Sequence, residues 1–117
     1  MGDATRRAGE LEAAVATPLD GTVAVAPGGI VSRQLLRRRG GNLTVFALDA
    51  GQSIEPHSSP YDAVVIPWEG EVELEIGGKA VVAHEGEAVL MPAGVPHGLR
   101  TARGVRFLLV MLRGEEG

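Results

Sequence analysis

The sequence contains no cysteine, which excludes disulfides, thiolate zinc sites and a thiol nucleophile. It is poor in aromatic residues: Phe46, Tyr61, Trp68 and Phe107 make up 3% of the chain, too few to stack the bases of a single strand. A surplus of positive charge is missing as well. At a net charge of −4 no broad basic field exists for phosphate backbones, and no nucleic-acid partner is expected. The one basic run, Arg37-Arg38-Arg39 before Gly40-Gly41, reads as a solvated turn. Long apolar runs are absent too. The longest, AVVIPW and VRFLLVML, fall far short of the ~20 residues of a membrane helix, so no membrane partner is expected.

What is present is enough for one folded domain: 117 residues, 44% hydrophobic and 22% charged. Arg6-Arg7 ahead of Ala13-Ala14-Val15-Ala16 faintly suggests a signal peptide, but Glu10 and Glu12 stand where an apolar segment would have to be. Gly2 is followed by Arg6 rather than Ser or Thr at the myristoylation position. The expected location is therefore cytoplasmic.

Seventeen glycines and seven prolines punctuate the chain. Between them lie β-branched runs at 22–25, 30–36, 43–48, 63–67, 71–76, 79–83, 88–91, 97–101 and 105–112, a rhythm of short antiparallel strands. So many strands in a small domain predict an all-β closed barrel or jelly roll, which hides its sheet edges. In 71–76, Val72, Leu74 and Ile76 take one face and Glu71, Glu73 and Glu75 the other. The glutamates read as a solvated face that discourages edge pairing, and Gly77-Gly78 as a two-residue hairpin turn. Arg6–Ala16 is the one candidate helix, with a loose arm or swapped strand as the alternative. The expected division is an N-terminal arm over 1–20, the barrel over 21–113 and a tail over 114–117.

Three histidines are the residues with most chemistry: His57, His84 and His97. His84 precedes Glu85-Gly86 and is expected on an exposed turn. His57 follows Ile54-Glu55-Pro56, and His97 opens the strand after Pro92-Ala93-Gly94-Val95-Pro96. Both sit at turn-to-strand transitions, and only a closed barrel would bring them together.

Gly51-x5-His57-x-Ser59-x3-Ala63-x6-Gly70 resembles the first motif of the cupin family, and Gly86-x5-Pro92-x-Gly94-x2-His97-x3-Thr101 resembles the second. The resemblance spans roughly residues 43–112, with motif one at 51–70 and motif two at 86–101. It implies a cupin-type double-stranded β-helix, usually dimeric, with a site in the barrel mouth. Cupins that bind Mn, Fe, Ni, Zn or Cu usually use three His and one Glu. Here His57 and His97 stand at the first and last of those positions, while Ser59 and Ala63 replace the other two. Asp62, next to the lost Glu, should point to the opposite face. Two imidazoles with waters can bind Zn²⁺, Cu²⁺ or Ni²⁺, yet zinc sites usually take three or four protein ligands. A divalent transition metal on His57 and His97 and a metal-free pocket both stay open, and no organic cofactor is expected.

Without a metal, the pocket would hold His57 and His97 as general acid and base, Ser59, and Tyr61 as a donor to a developing oxyanion. Alternation adds Val65, Pro67, Leu99, Phe107, Leu109 and Met111 as inward-facing lining. Trp68 should face away and could anchor a homodimer. The expected function is small-molecule binding, with a metal-assisted isomerase, lyase or dioxygenase as the alternative, and a non-catalytic sensor, carrier or structural dimer as a further one.

Overall fold

Aliphatic runs and glycine turns become strands in the computed structural model, which describes residues 9–114. Among these residues the strands are β1 (Ile30–Arg38), β2 (Gly41–Leu48), β3 (Ser53–His57), β4 (Tyr61–Gly70), β5 (Val72–Ile76), β6 (Lys79–Ala83), β7 (Val89–Met91), β8 (His97–Arg100) and β9 (Val105–Arg113). They form a five-stranded sheet in the order β1-β2-β9-β4-β7 and a four-stranded sheet in the order β3-β8-β5-β6. Every pairing is antiparallel. No helix among the described residues is long and apolar enough to cross a membrane.

The sheets close over one core. Leu48, Val65 and Phe107 from the larger sheet meet Val72, Leu74 and Ala83 from the smaller, and Phe46 stacks on Phe107 with ring centroids 5.0 Å apart. Burying a side chain of this size contributes about 1.5–3 kcal/mol. The Gly77-Gly78 turn has positive φ at both residues, 58° and 86°, as the tightest hairpin turns require. It joins β5 to β6 with Ile76 opposite Lys79.

Ahead of β1, the chain is a strap rather than a strand or a helix. The expected strand at 22–25 does not form. Instead Thr22 closes a 3-10 turn (Leu19–Gly21), its hydroxyl donating to the Leu19 carbonyl at 2.6 Å. Val23 then packs on the outer face of the larger sheet, against Leu35, Val45 and Ala47. Of the candidate helix, Arg6 and Arg7 lie outside the described residues, and residues 9–16 are not helical. Gly9 and Ala14 carry φ of 85° and 63°, which a right-handed helix cannot accommodate. The Leu11 N–H donates to the Leu35 carbonyl at 2.9 Å, and the buried Glu10 carboxylate accepts from the Arg37 N–H at 3.0 Å.

A histidine pair at the barrel mouth as the candidate functional site

His57 ends β3 and His97 begins β8, and a β-bulge makes them meet. Ser53 pairs with Arg100 and Ile54 with Leu99, but the next pair is His57 with His97. Two residues, Glu55 and Pro56, therefore stand opposite Gly98 alone. With unbroken register Pro56 would face His97, and His57 would point away from the core. The bulge instead turns His57 onto the face of Ile54 and Leu99. Two residue types permit it. A Cβ on Gly98 would lie 2.9 Å from both the Ile54 oxygen and the Pro56 nitrogen. Pro56 has no N–H to leave unpaired, and β3 is an edge strand, where proline is tolerated.

The rings lie with centroids 4.7 Å apart and planes at 60°. His97 is 6% exposed, whereas His57 is open to solvent. His57 Nδ1 lies 3.1 Å from the Glu55 carbonyl and His97 Nδ1 3.2 Å from the Val95 carbonyl. A carbonyl oxygen only accepts, so each ring's Nδ1 carries a hydrogen, and in the neutral form of the ring Nε2 is the nitrogen left to accept.

The other expected site residues fall into different places. The Ser59 hydroxyl accepts from the Tyr61 N–H at 3.1 Å, and the Ser59 carbonyl accepts from the Gly94 N–H at 2.8 Å. Ser59 thus ties the loop after β3 to the loop before β8. Val65, Pro67 and Phe107, expected to line the pocket, are sealed in the core with no surface to offer a ligand. Leu99, Leu109 and Met111 are only partly buried at its margin. Half-buried Tyr61 lines a cleft with Arg37, Asn42 and Arg113, a grouping the sequence reading missed because it depends on how four strand ends align. Asp62 accepts from the Ala93 N–H at 2.9 Å and so serves the backbone. Trp68 is engaged within its own chain: its indole N–H donates to Asp20 at 2.9 Å, and the Arg106 guanidinium lies 5.6 Å from its ring centroid. His84 is exposed between Glu87 and Glu71, at 3.1 and 3.4 Å.

The donor set does not fit a tightly held metal. Ala63 offers no ligand atom and the Ser59 hydroxyl is taken, so two imidazoles remain. No group of three or more His, Cys, Asp or Glu among the described residues could hold an ion. Zinc sites usually require three or four protein ligands.

The family model for the cupin domain matches residues 44–111. The chain belongs to the cupin family. This cupin is similar to a conserved protein of unknown function from Streptococcus pyogenes, at 36% identity and a TM-score of 0.84, over 92% of this chain and 94% of that one. It resembles a cupin 2 conserved barrel domain protein from Leptotrichia buccalis at 28% identity and a TM-score of 0.78. That likeness covers 80% of this chain and 46% of the other, so the cupin spans less than half of that protein. The polyketide cyclase RemF from Streptomyces resistomycificus is similar at 27% identity and a TM-score of 0.65, over 73% of this chain and 66% of that one. No curated protein sequence matches. The all-β double-stranded β-helix expected from the two motifs is the fold of this cupin.

Proposed function

We propose that this cupin binds a small molecule in the mouth of its barrel, with His57 and His97 as the polar anchor. The observation that carries this reading is the ring pair, 4.7 Å between centroids, with each Nδ1 committed to a carbonyl. The two Nε2 atoms then accept from a ligand's hydroxyl or amide hydrogens. Leu99, two residues from His97 on the same face of β8, is partly buried against the core, as are Leu109 and Met111 of β9, and these are the apolar contacts we propose for the ligand. An apolar wall with a few convergent polar groups is the usual form of such a site. A metal reaching the pair would have to take its remaining ligands from solvent or from the bound molecule.

The same pair supports a second reading, proton transfer on the bound molecule, because imidazole both accepts and donates a proton near neutral pH. The likeness to a polyketide cyclase favours it. A cytoplasmic location goes with either reading, and the lack of cysteine permits it.

The partner we propose on the outer face of the larger sheet is a second copy of the chain. Leu90, Val64 and Val110 stand side by side there in register. Leu90 is 56% exposed and nearby Leu112 52%, an apolar patch of the kind that marks interfaces.

Elemental analysis of tag-free protein tests the site, beside the His57→Ala/His97→Ala double variant. The expected result is well under one metal per chain, with small-molecule stabilisation in thermal-shift screens that disappears in the double variant. One equivalent of a transition metal, lost in the double variant, would replace this reading with a two-histidine metal centre. If the double variant unfolds, the pair is structural.

A further inference from the structure

The cleft beside Tyr61 is built from four strand ends. Arg37 near the end of β1 pairs with Asn42 at the start of β2, Asn42 pairs with Met111 of β9, and Arg113 of β9 pairs with Tyr61 of β4. The Arg113 N–H donates to the Gly40 carbonyl at 2.8 Å. An added Cβ on Gly41 would collide with the Met111 carbonyl, so only glycine lets the arginine turn close down over the end of β9. The result is a cleft of about 440 Å³ lined by Arg37, Arg38, Arg39, Asn42, Tyr61 and Arg113.

Its charges are unbalanced. Arg38 is engaged by Glu10 at 3.2 Å, but no carboxylate among the described residues pairs with Arg37, Arg39 or Arg113. Two guanidinium groups elsewhere have acidic partners, Arg100 with Glu73 at 2.9 Å and Arg106 with Glu69 at 2.6 Å, while Arg33 donates to the Gly9 and Thr22 carbonyls. Acids are not scarce in a chain with 15 Asp and Glu against 11 Lys and Arg. Asn42 is oriented as well: its Oδ1 accepts from the Thr44 hydroxyl at 3.0 Å, which leaves the amide NH₂ to donate. The cleft thus gathers donors (three guanidinium groups, an amide and a phenol) with no carboxylate among the described residues paired to those three guanidinium groups.

We propose that this cleft is an oxyanion subsite, taking a carboxylate or phosphate group of the small molecule bound in the mouth. Guanidinium forks match both groups with paired, charge-assisted hydrogen bonds. Tyr61 follows His57 by four residues, which span at most about 14 Å even fully extended. The Tyr61 end of the cleft is therefore close enough to His57 for a compact anionic molecule to extend from one toward the other. A recess with three guanidinium groups that have no carboxylate partner among the described residues, on a protein of net charge −4, suits such a molecule better than a nucleic-acid backbone, which needs a longer basic track. The inference rests on the mouth being a small-molecule site.

The test titrates inorganic phosphate, and separately malonate, into the full chain at fixed ionic strength set with chloride. Melting temperature and amide chemical shifts are followed. Expected is saturable stabilisation by at least one of the two anions, with shifts at Asn42 and Tyr61. In Arg37→Gln/Arg113→Gln the apparent affinity should fall about tenfold or more, whereas His57→Ala/His97→Ala should keep it. Phosphate against malonate distinguishes a phosphorylated from a carboxylate ligand. An identical response in wild type and the arginine variant would overturn the subsite, as would tighter binding of a DNA or RNA oligonucleotide that the arginine variant loses. If that variant does not fold, Arg39→Gln on the exposed turn takes its place, with a weakened response expected and an unchanged one overturning the proposal. Anion binding at the arginines, with no molecule found that perturbs the His57 or His97 ring, would leave the subsite standing and remove the mouth reading.

Discussion

The two sheets of this barrel use their outer faces in opposite ways. On the smaller sheet, Glu73 and Glu75 of β5 stand beside Arg100 of β8, and the face is open to water. On the larger sheet, Val45 and Ala47 of β2 are fully buried beneath the strap that carries Val23. Farther across, Leu90, Val64 and Val110 continue the same apolar face uncovered. The smaller sheet therefore has one buried face and gives its edge strand, β3, to the site. The larger sheet has two apolar faces, one closing the core and one holding the strap and, we propose, a second copy.

The division is broken most severely at Gly98. Gly98→Ala puts a methyl 2.9 Å from the Ile54 oxygen and the Pro56 nitrogen, so the bulge must open or β8 must shift. A cost of about 1–3 kcal/mol is expected, read as a lower denaturation midpoint. The rings should also part, with ligand binding lost even where the variant stays folded. Unchanged His57 and His97 ring resonances in Gly98→Ala would show that the bulge does not position them. On the larger sheet the strongest disruption is Leu90→Arg. It should convert a dimer to a monomer in sedimentation while moving the melting temperature of the dilute protein little, because Leu90 is 56% exposed. A wild-type chain that sediments as a monomer would sink the proposed interface.

The same contrast governs what could be read from the sequence. Alternation in β5 was plain because one face of that strand is wet. In β4 and β9 it was blurred, since Val64 and Ile66 are apolar on the outer face just as Ala63 and Val65 are on the inner. Alternation also put Val65, Pro67 and Phe107 on the right face but could not say how deep they lie. The histidines were marked by their motif spacing, yet the strand that presents His57 was not, because Pro56 and a bulge interrupt its pattern. Arg6–Ala16 read as the one candidate helix, where the described part instead uses Glu10 and Leu11 to reach β1. The arginine cleft could not be seen at all. Arg37, Asn42, Tyr61 and Arg113 come together only through the register of four strands.

The smallest expected effect sharpens the comparison through acid. Each outer face carries one bidentate arginine–glutamate pair. Hydrogen bonding to Arg106 holds the Glu69 carboxyl below its ordinary value of 4.5, and hydrogen bonding to Arg100 does the same for Glu73. A carboxyl whose folded-state value is depressed binds fewer protons folded than unfolded. Its contribution to stability is present above 4.5 and is lost as pH falls through the lowered value. Both pairs should therefore weaken only below about pH 4.5. They differ in what else they hold. Arg100 ends in solvent, 68% exposed, and exposed ion pairs contribute little. Arg106 is 14% exposed and also donates to the Asp20 and Val23 carbonyls at 2.9 Å, so Glu69 helps orient the group that fastens the strap. Glu69→Gln should flatten the acid-side fall in melting temperature more than Glu73→Gln does. It should also speed amide exchange at Val23, which Glu73→Gln leaves alone. Equal effects of the two substitutions would mean that the strap is held by Val23 and its apolar neighbours, without help from the ion pair.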